Sequence, residues 1–272
     1  MSEFAVGVIS SIVASILTYL YFEIRDRMLI DNGIIALLGV NPRASVRICY
    51  ANVQSSESYQ SPIARLLPSR SLDYGDVDSI ILVYDRFRVR FGKNIRWARN
   101  AVPRQSQNGN IVSIAGPKWN KMTEQLIGEI GSPLYYSDGV QGLIERRATH
   151  GNANIHQFQI RDVGGRIEIE DFGCLIFARP GVLSGQIDCA LVVCGYTTFG
   201  TLIAAEALHM LKRNEVKKIA KAVAGDKRFA IVVKGKIMLD PEGRILSRAT
   251  VEIVTWIGER DFLLPYEFSY HA

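Results

Sequence analysis

An uncharged apolar run opens the chain: Phe4 to Phe22 reads FAVGVISSIVASILTYLYF, 19 residues without Asp, Glu, Lys or Arg. At a helical rise of about 1.5 Å per residue it spans roughly 28 Å, close to the hydrocarbon thickness of a bilayer. The run predicts a transmembrane helix with Tyr19 and Tyr21 at its interfacial end. A cleaved signal peptide fits less well, because no basic residue precedes the run and no small-residue cleavage site follows Phe22. A buried core helix is the remaining alternative. Gly7, Ser11 and Ser15 recur at every fourth position, a small-residue stripe that lets two helices approach closely in lipid and predicts self-association.

Further along, the apolar pattern breaks into short pieces. Val46 to Tyr50 reads as a strand, and the Ser-, Pro- and Arg-rich stretch Gln54 to Asp73 as a long loop. Val77, Ile80, Ile81, Tyr84, Phe87 and Phe91 fall at helical spacing and predict a helix capped by Asp76 and ended by Gly92. Ile111 to Ala115 reads as a strand that enters a helix, Asn120 to Ile130, through Gly116-Pro117. Ile155 to Asp162 and Arg166 to Glu170 flank Gly164-Gly165 as a hairpin. Cys174 to Phe177 and Ala190 to Cys194 are continuously apolar, as strands buried on both faces should be. Helices are predicted over Leu202 to Leu211 and Val216 to Val223. Strands follow over Arg228 to Leu239 and Ile245 to Ile257, joined by the turn Asp240-Pro-Glu-Gly243.

Strand–helix units in the middle and a terminal hairpin predict an α/β fold. The expected architecture is a Rossmann-like, mostly parallel sheet with antiparallel additions, preceded by one transmembrane helix. The expected division is an anchor over residues 1–28, a linker over 29–44 and an α/β domain over 45–272.

Composition removes several classes. Hydrophobic residues make up 48% and charged residues 22%, which excludes intrinsic disorder. Arg25 and Arg27 follow the apolar run and no basic residue precedes it, so the positive-inside rule predicts a single-pass inner-membrane protein whose C-terminal domain is cytoplasmic. Cys49, Cys174, Cys189 and Cys194 lie in apolar runs without a C-x-x-C pair or zinc spacing and read as buried thiols. The four histidines show no metal-ligand spacing, so no metal site is expected. The basic run Arg86, Arg88, Arg90, Lys93, Arg96, Arg99 and Arg104, beside Trp97, reads first as a solvated helix face, second as a contact for anionic lipid and last as a nucleic-acid surface.

Three segments place glycine and small polar residues between a strand and a helix: Asp73 to Ser79, Ala115 to Lys121 and Gly195 to Thr201. In open α/β sheets that edge binds ligands, and helix N-termini there present free N–H groups that suit phosphate or carboxylate. None of the three matches a Walker or full G-x-G-x-x-G pattern. The alternative for each is an ordinary turn. Asp76, Asp78, Asp171 and Glu206 are the candidate carboxylates, Asp171 the most interesting because it stands between two apolar strands; a helix or turn cap is the simpler reading for each.

Gly116-Pro117…Asn120, then Asp171-Phe-Gly, then Gly195…Phe-Gly-Thr201 occur in an order that resembles a poorly characterised group of bacterial cytoplasmic, Rossmann-like domains found beside sensor or defence modules. That group carries Gly-Gly-Pro-x-x-Asn, Asp-Tyr-Gly and Gly-x-x-x-x-Gly-Thr motifs, and the resemblance covers roughly residues 45–210. Ala115 replaces the first glycine here and Phe172 the tyrosine. The resemblance implies a site for a nucleotide-like or phosphorylated ligand and no particular reaction.

The candidate ligand-binding residues are therefore Gly75, Asp76, Gly116, Pro117, Asn120, Asp171, Gly195, Thr198, Gly200 and Thr201. The expected function is a membrane-anchored sensing or effector module that self-associates and binds a nucleotide-like small molecule. The alternatives are a nucleotide-processing enzyme with Asp171 or Asp76 as acid/base, and a membrane-tethered scaffold without ligand. No cofactor is specified.

Overall fold

The computed structural model describes residues 12–21, 37, 39, 44–51, 69–99, 109–118, 120–136, 140–150, 152–183, 187–211, 213–247 and 249–263. Residues 12–21 are helical (α1) and exposed throughout. No helix among the described residues is long and apolar enough to cross a membrane. The transmembrane anchor over 1–28 and the single-pass inner-membrane location expected from Phe4 to Phe22 are accordingly withdrawn. Gly7 and Ser11 of the small-residue stripe, and Arg25 and Arg27, lie outside the described residues.

The remaining elements are β1 (Val46–Tyr50), α2 (Ser69–Phe91), β2 (Ile95–Arg99), β3 (Gly109–Ile114), α3 (Lys121–Ile130), β4 (Leu134–Tyr135), β5 (Gly142–Glu145), β6 (Asn154–Gln157), β7 (Gln159–Val163), β8 (Arg166–Ala178), β9 (Ile187–Gly195), α4 (Thr198–Met210), α5 (Arg213–Ala222), β10 (Arg228–Leu239) and β11 (Thr250–Ile257). The fold is α/β, and its main sheet is mixed. Strands run in the order β11-β10-β8-β9-β3-β1-β2, with β7 also paired to β8. β2, β1, β3 and β9 are mutually parallel. The pairs β8–β9, β8–β10, β10–β11 and β7–β8 are antiparallel. Antiparallel pairs outnumber parallel ones, so the mostly parallel sheet expected above is corrected. The long segments Arg166–Ala178 and Arg228–Leu239 pair directly over twelve positions instead of returning through crossover helices.

Both faces of the sheet are covered. Val83, Phe87 and Phe91 of α2 pack with Phe199, Leu202 and Ile203 of α4 over one face. Met122, Leu126 and Ile127 of α3, with Leu134 and Leu143 of the small β4-β5-β6 sheet, cover the other. Alternate residues of β8 divide between the layers: Leu175 and Phe177 face α4, whereas Cys174 and Ile176 face α3. The small sheet is fastened by Arg147, which donates to Glu145 and to Thr255 of β11 and pairs with Asp261. Thr149 also donates to Asp261. His156 contacts Glu145 at 2.9 Å and lies against the Phe172 ring. Burial works to raise the Glu145 pKa, but the bonds from His156 and Arg147 outweigh it and hold the carboxyl below its ordinary value.

Several local expectations shift. α2 begins at Ser69, inside the expected loop, so Asp76 lies within the helix and is not its cap. The buried face of α2 carries Gly75, Ser79, Val83, Arg86 and Phe87, while Val77 and Ile81 are exposed. Arg86 is therefore buried and does not belong to a solvated face. Of the positions read at helical spacing, Phe87 and Phe91 are buried and Ile80 and Tyr84 pack against the core, whereas Val77 and Ile81 do not. β2, β4 and β5 were not expected. The single strand expected over Ile155 to Asp162 is two, one in each sheet. β8 is one continuous strand, so Asp171 lies within a strand and not between two.

The contact of α4 with β8 and β9 tolerates no Cβ. A methyl on Gly173 would run into the Gly200 carbonyl and the Ala204 side chain, whereas one on Gly128, in α3, would meet nothing within 4 Å. Gly173→Ala is expected to destabilise the domain by about 1–3 kcal/mol through overpacking. Gly128→Ala should stabilise it by about 0.4–1 kcal/mol by restricting the unfolded chain. Urea denaturation of both variants checks the pair; equal effects would show that the α4 contact is not close-packed.

Candidate functional site

The helix-bearing turns converge at one end of the sheet. β3 leads into α3 and β9 into α4, and β1, β3 and β9 are parallel, so their carboxyl ends share an edge. The connection leaving β1 runs through α2 to β2, on one side of β1; β3 pairs on the other side. α2 covers one sheet face and α3 the opposite one. β1 and β3 thus form a topological switch point, where the chain leaves in opposite directions; in open α/β sheets such points are where ligand crevices form.

Most of the expected site residues are brought together here, chiefly by backbone contact. Gly75 lies against Thr198, whose Oγ1 would stand 2.9 Å from a Cβ at position 75. Gly116 faces the Gly195 carbonyl, 3.3 Å from where its Cβ would be. A Cβ on Gly200 would come within 2.8 Å of Asp171 Oδ2 and 3.0 Å of Gly195 Cα. Pro117 lies in the turn before α3. Thr198 and Thr201 are buried, and the Thr201 hydroxyl donates to the Thr197 carbonyl. The Asp76 side chain lies outside the described residues.

Asn120 is the N-cap of α3: its Oδ1 accepts from the Met122 N–H at 3.0 Å. Its amide nitrogen donates toward Ile114 O at 2.8 Å, Ser113 Oγ at 3.1 Å and Cys49 O at 3.3 Å. The side chain ties β1, β3 and α3 together and has no donor left for a ligand. Thr123 completes the tie, hydrogen-bonding Ser113 Oγ and donating to the Ala115 carbonyl. Ala115 itself adopts φ of 88°, a conformation that favours glycine. This position, where the resembled group has glycine, keeps a glycine-like backbone around an alanine.

Asp171 occupies a gap in the sheet. β9 leaves β8 at the pair Gly173–Gly195, and β7 joins β8 at Glu170–Gln159, so Asp171 and Phe172 lie between the two partners. The carboxylate fills this space. The Phe172 N–H donates to Oδ1 at 2.7 Å and the Thr197 hydroxyl to Oδ2 at 2.6 Å. Thr197 Oγ1 in turn accepts from Phe199 and Gly200 N–H, capping α4. Asp171 thus supplies the negative charge that the positive end of a helix attracts. Burial pushes its pKa up to about 6, against the lowering effect of Thr197 and of the Phe172, Gly200 and Thr197 N–H groups.

Sequence reasoning counts Thr197 with Thr198 and Thr201 among the hydroxyls of this turn but not as the N-cap, although a threonine directly before a helix is the usual N-cap signal. It also missed Tyr136, whose ring lies 6.3 Å from that of Tyr196 at the carboxyl end of β9. No local pattern marks Tyr136, because a long chain excursion separates the two rings. Among the described residues no group of three or more His, Cys, Asp or Glu is arranged to hold a metal ion.

Comparison with known proteins gives no matching family model and no curated protein of significant similarity.

The Asp171 shift has a defined sign. The folded carboxyl keeps its proton up to about pH 6, whereas an unfolded aspartate loses it near 3.8. Between these values the folded state binds more protons, so this group's contribution to stability falls as pH rises from about 4 to 6, by on the order of 3 kcal/mol in total. Denaturation of wild type and Asp171→Asn at pH 4.5 and pH 7 should show the stability difference moving toward the variant at the higher pH. A pH-independent difference would contradict the burial. Thr197→Val should raise the Asp171 pKa further, as read by carboxyl NMR.

Proposed function

We propose that the domain is a binding module for a small, anionic, nucleotide-like ligand, held in the crevice at the carboxyl ends of β1, β3 and β9. The observation that carries this reading is the topological switch point between β1 and β3, with the Gly116-Pro117 and Gly195-Tyr196 turns meeting beside it. The half-buried rings of Tyr136 and Tyr196 flank the same end of β9 and suit a planar group. Lys118 is exposed in the turn before α3 and offers a positive charge toward a phosphate.

The arrangement favours binding over acid/base catalysis. Asp171 is fully buried, and both of its oxygens already accept hydrogen bonds within the fold. Asn120 and Thr197 cap α3 and α4, and the Thr201 hydroxyl donates to the Thr197 carbonyl; Lys118 and the tyrosine rings are the binding elements of this reading.

Thermal-shift measurements with ATP, NAD and inorganic phosphate test the proposal. A nucleotide at 100 times its Kd is expected to stabilise the domain by about 2.7 kcal/mol. Lys118→Glu should weaken that response at least tenfold in ligand concentration, measured against the variant's own ligand-free melting temperature. No shift with any probe, or equal shifts in both proteins, would overturn the reading.

A further inference from the structure

Of the four cysteines, all free and buried, two face each other. Cys174 of β8 and Cys194 of β9 occupy directly opposed positions in the antiparallel ladder, with their sulfurs 3.3 Å apart. The Tyr136 hydroxyl donates to Cys194 Sγ at 3.6 Å and lies 3.7 Å from Cys174 Sγ. The other two cysteines are elsewhere. Cys189 donates to Asn110 Oδ1 at 2.9 Å, and Cys49 lies on β1 opposite Ala98 and Ser113.

We propose that Cys174 and Cys194 form a redox modification site that closes to an intramolecular disulfide under a two-electron thiol oxidant such as hydrogen peroxide. Closure requires the sulfurs to approach by roughly 1.3 Å, to the bond length of about 2.05 Å, between strands already held in register. A shared metal ion suits the pair less well. Two sulfurs on one tetrahedral centre with bonds of about 2.3 Å stand roughly 3.8 Å apart, and a linear centre separates them further. No group of three or more candidate ligands surrounds them among the described residues.

The chemistry balances in two steps. Peroxide converts one thiol to a sulfenic acid and releases one water. The second sulfur, as its thiolate, attacks the sulfenic sulfur; the S–S bond forms, the S–O bond breaks, and the departing hydroxide takes up the proton as a second water. Two thiols are oxidised by two electrons and one peroxide is reduced. Both thiols are fully buried, and the hydrogen bond to Cys194 together with burial holds the Cys174 thiol well above its ordinary pKa. The first step therefore proceeds through local opening of this corner and is slow, whereas the second is intramolecular and fast.

The site is placed to matter. Cys174 directly follows Gly173 and Cys194 directly precedes Gly195, the last pair before the gap that holds Asp171 and the α4 N-terminus. A disulfide would lock the strands at that point and replace the thiol partners of Tyr136. This inference is independent of the ligand proposal.

The test uses the reduced full chain, treated with hydrogen peroxide, quenched, and alkylated with N-ethylmaleimide in denaturant. Intact mass should show two alkylated cysteines instead of four and a loss of two mass units from the remainder, reversed by dithiothreitol. Cleavage before Asp171 and Asp188 places Cys174 on one peptide and Cys189 with Cys194 on the next. The linked peptide pair should persist in Cys189→Ser and vanish in Cys194→Ser. Four alkylated cysteines in oxidised wild type, or a link that survives Cys194→Ser, would overturn the proposal.

Discussion

The gap in β8 at Asp171 and Phe172 is the constraint on which the functional end of the molecule depends. β9 and β7 together cover most of one side of β8, but they do not meet. A buried backbone N–H without a partner costs about as much as a lost hydrogen bond. Here the Asp171 carboxylate meets the Phe172 N–H, and through the Thr197 hydroxyl it reaches the first turn of α4. The helix must then lie very close to the sheet. Gly173, Gly195 and Gly200 leave that space empty of side chains. A single charged group therefore mends the sheet, caps the helix indirectly and sets the approach of two layers.

The consequence for binding chemistry is a division of labour. A helix N-terminus beside a glycine turn suits an external anion, yet α4 already has an internal one. Asn120 similarly closes the α3 terminus onto β1 and β3. These groups join the helix termini to the strands beneath them; Lys118 is exposed nearby, and Tyr136 and Tyr196 are half-buried.

The opposite sheet face has its own polar seam within an apolar layer. Tyr136 bridges the paired thiols, and His156 and Glu145 link to Arg147, which reaches β11. Such networks hold the small β4-β5-β6 sheet in one orientation against the main sheet, a specificity that apolar packing alone supplies less sharply.

The sequence by itself determined the features that rest on local chemistry. Val46–Tyr50 and Arg228–Leu239 form strands as expected, and the continuously apolar run Ala190 to Cys194 lies in β9. α3 begins after Asn120 and ends at Gly131, which takes φ of 66° as a C-cap glycine does. The Gly116-Pro117 and Gly195-Tyr196 turns each lie where a strand passes into a helix, as expected, whereas Asp73 to Ser79 is no turn and lies within α2. Tertiary structure alone decided the strand directions in the antiparallel half of the sheet, the burial of Arg86, the opposition of Cys174 to Cys194 and the charge state of Asp171. Among the described residues no helix is long and apolar enough to cross a membrane. Spacing and composition record what a residue prefers among its near neighbours. Which distant strand lies alongside it, and whether water reaches it, are settled only when the layers pack, and those two facts set register, thiol proximity and pKa.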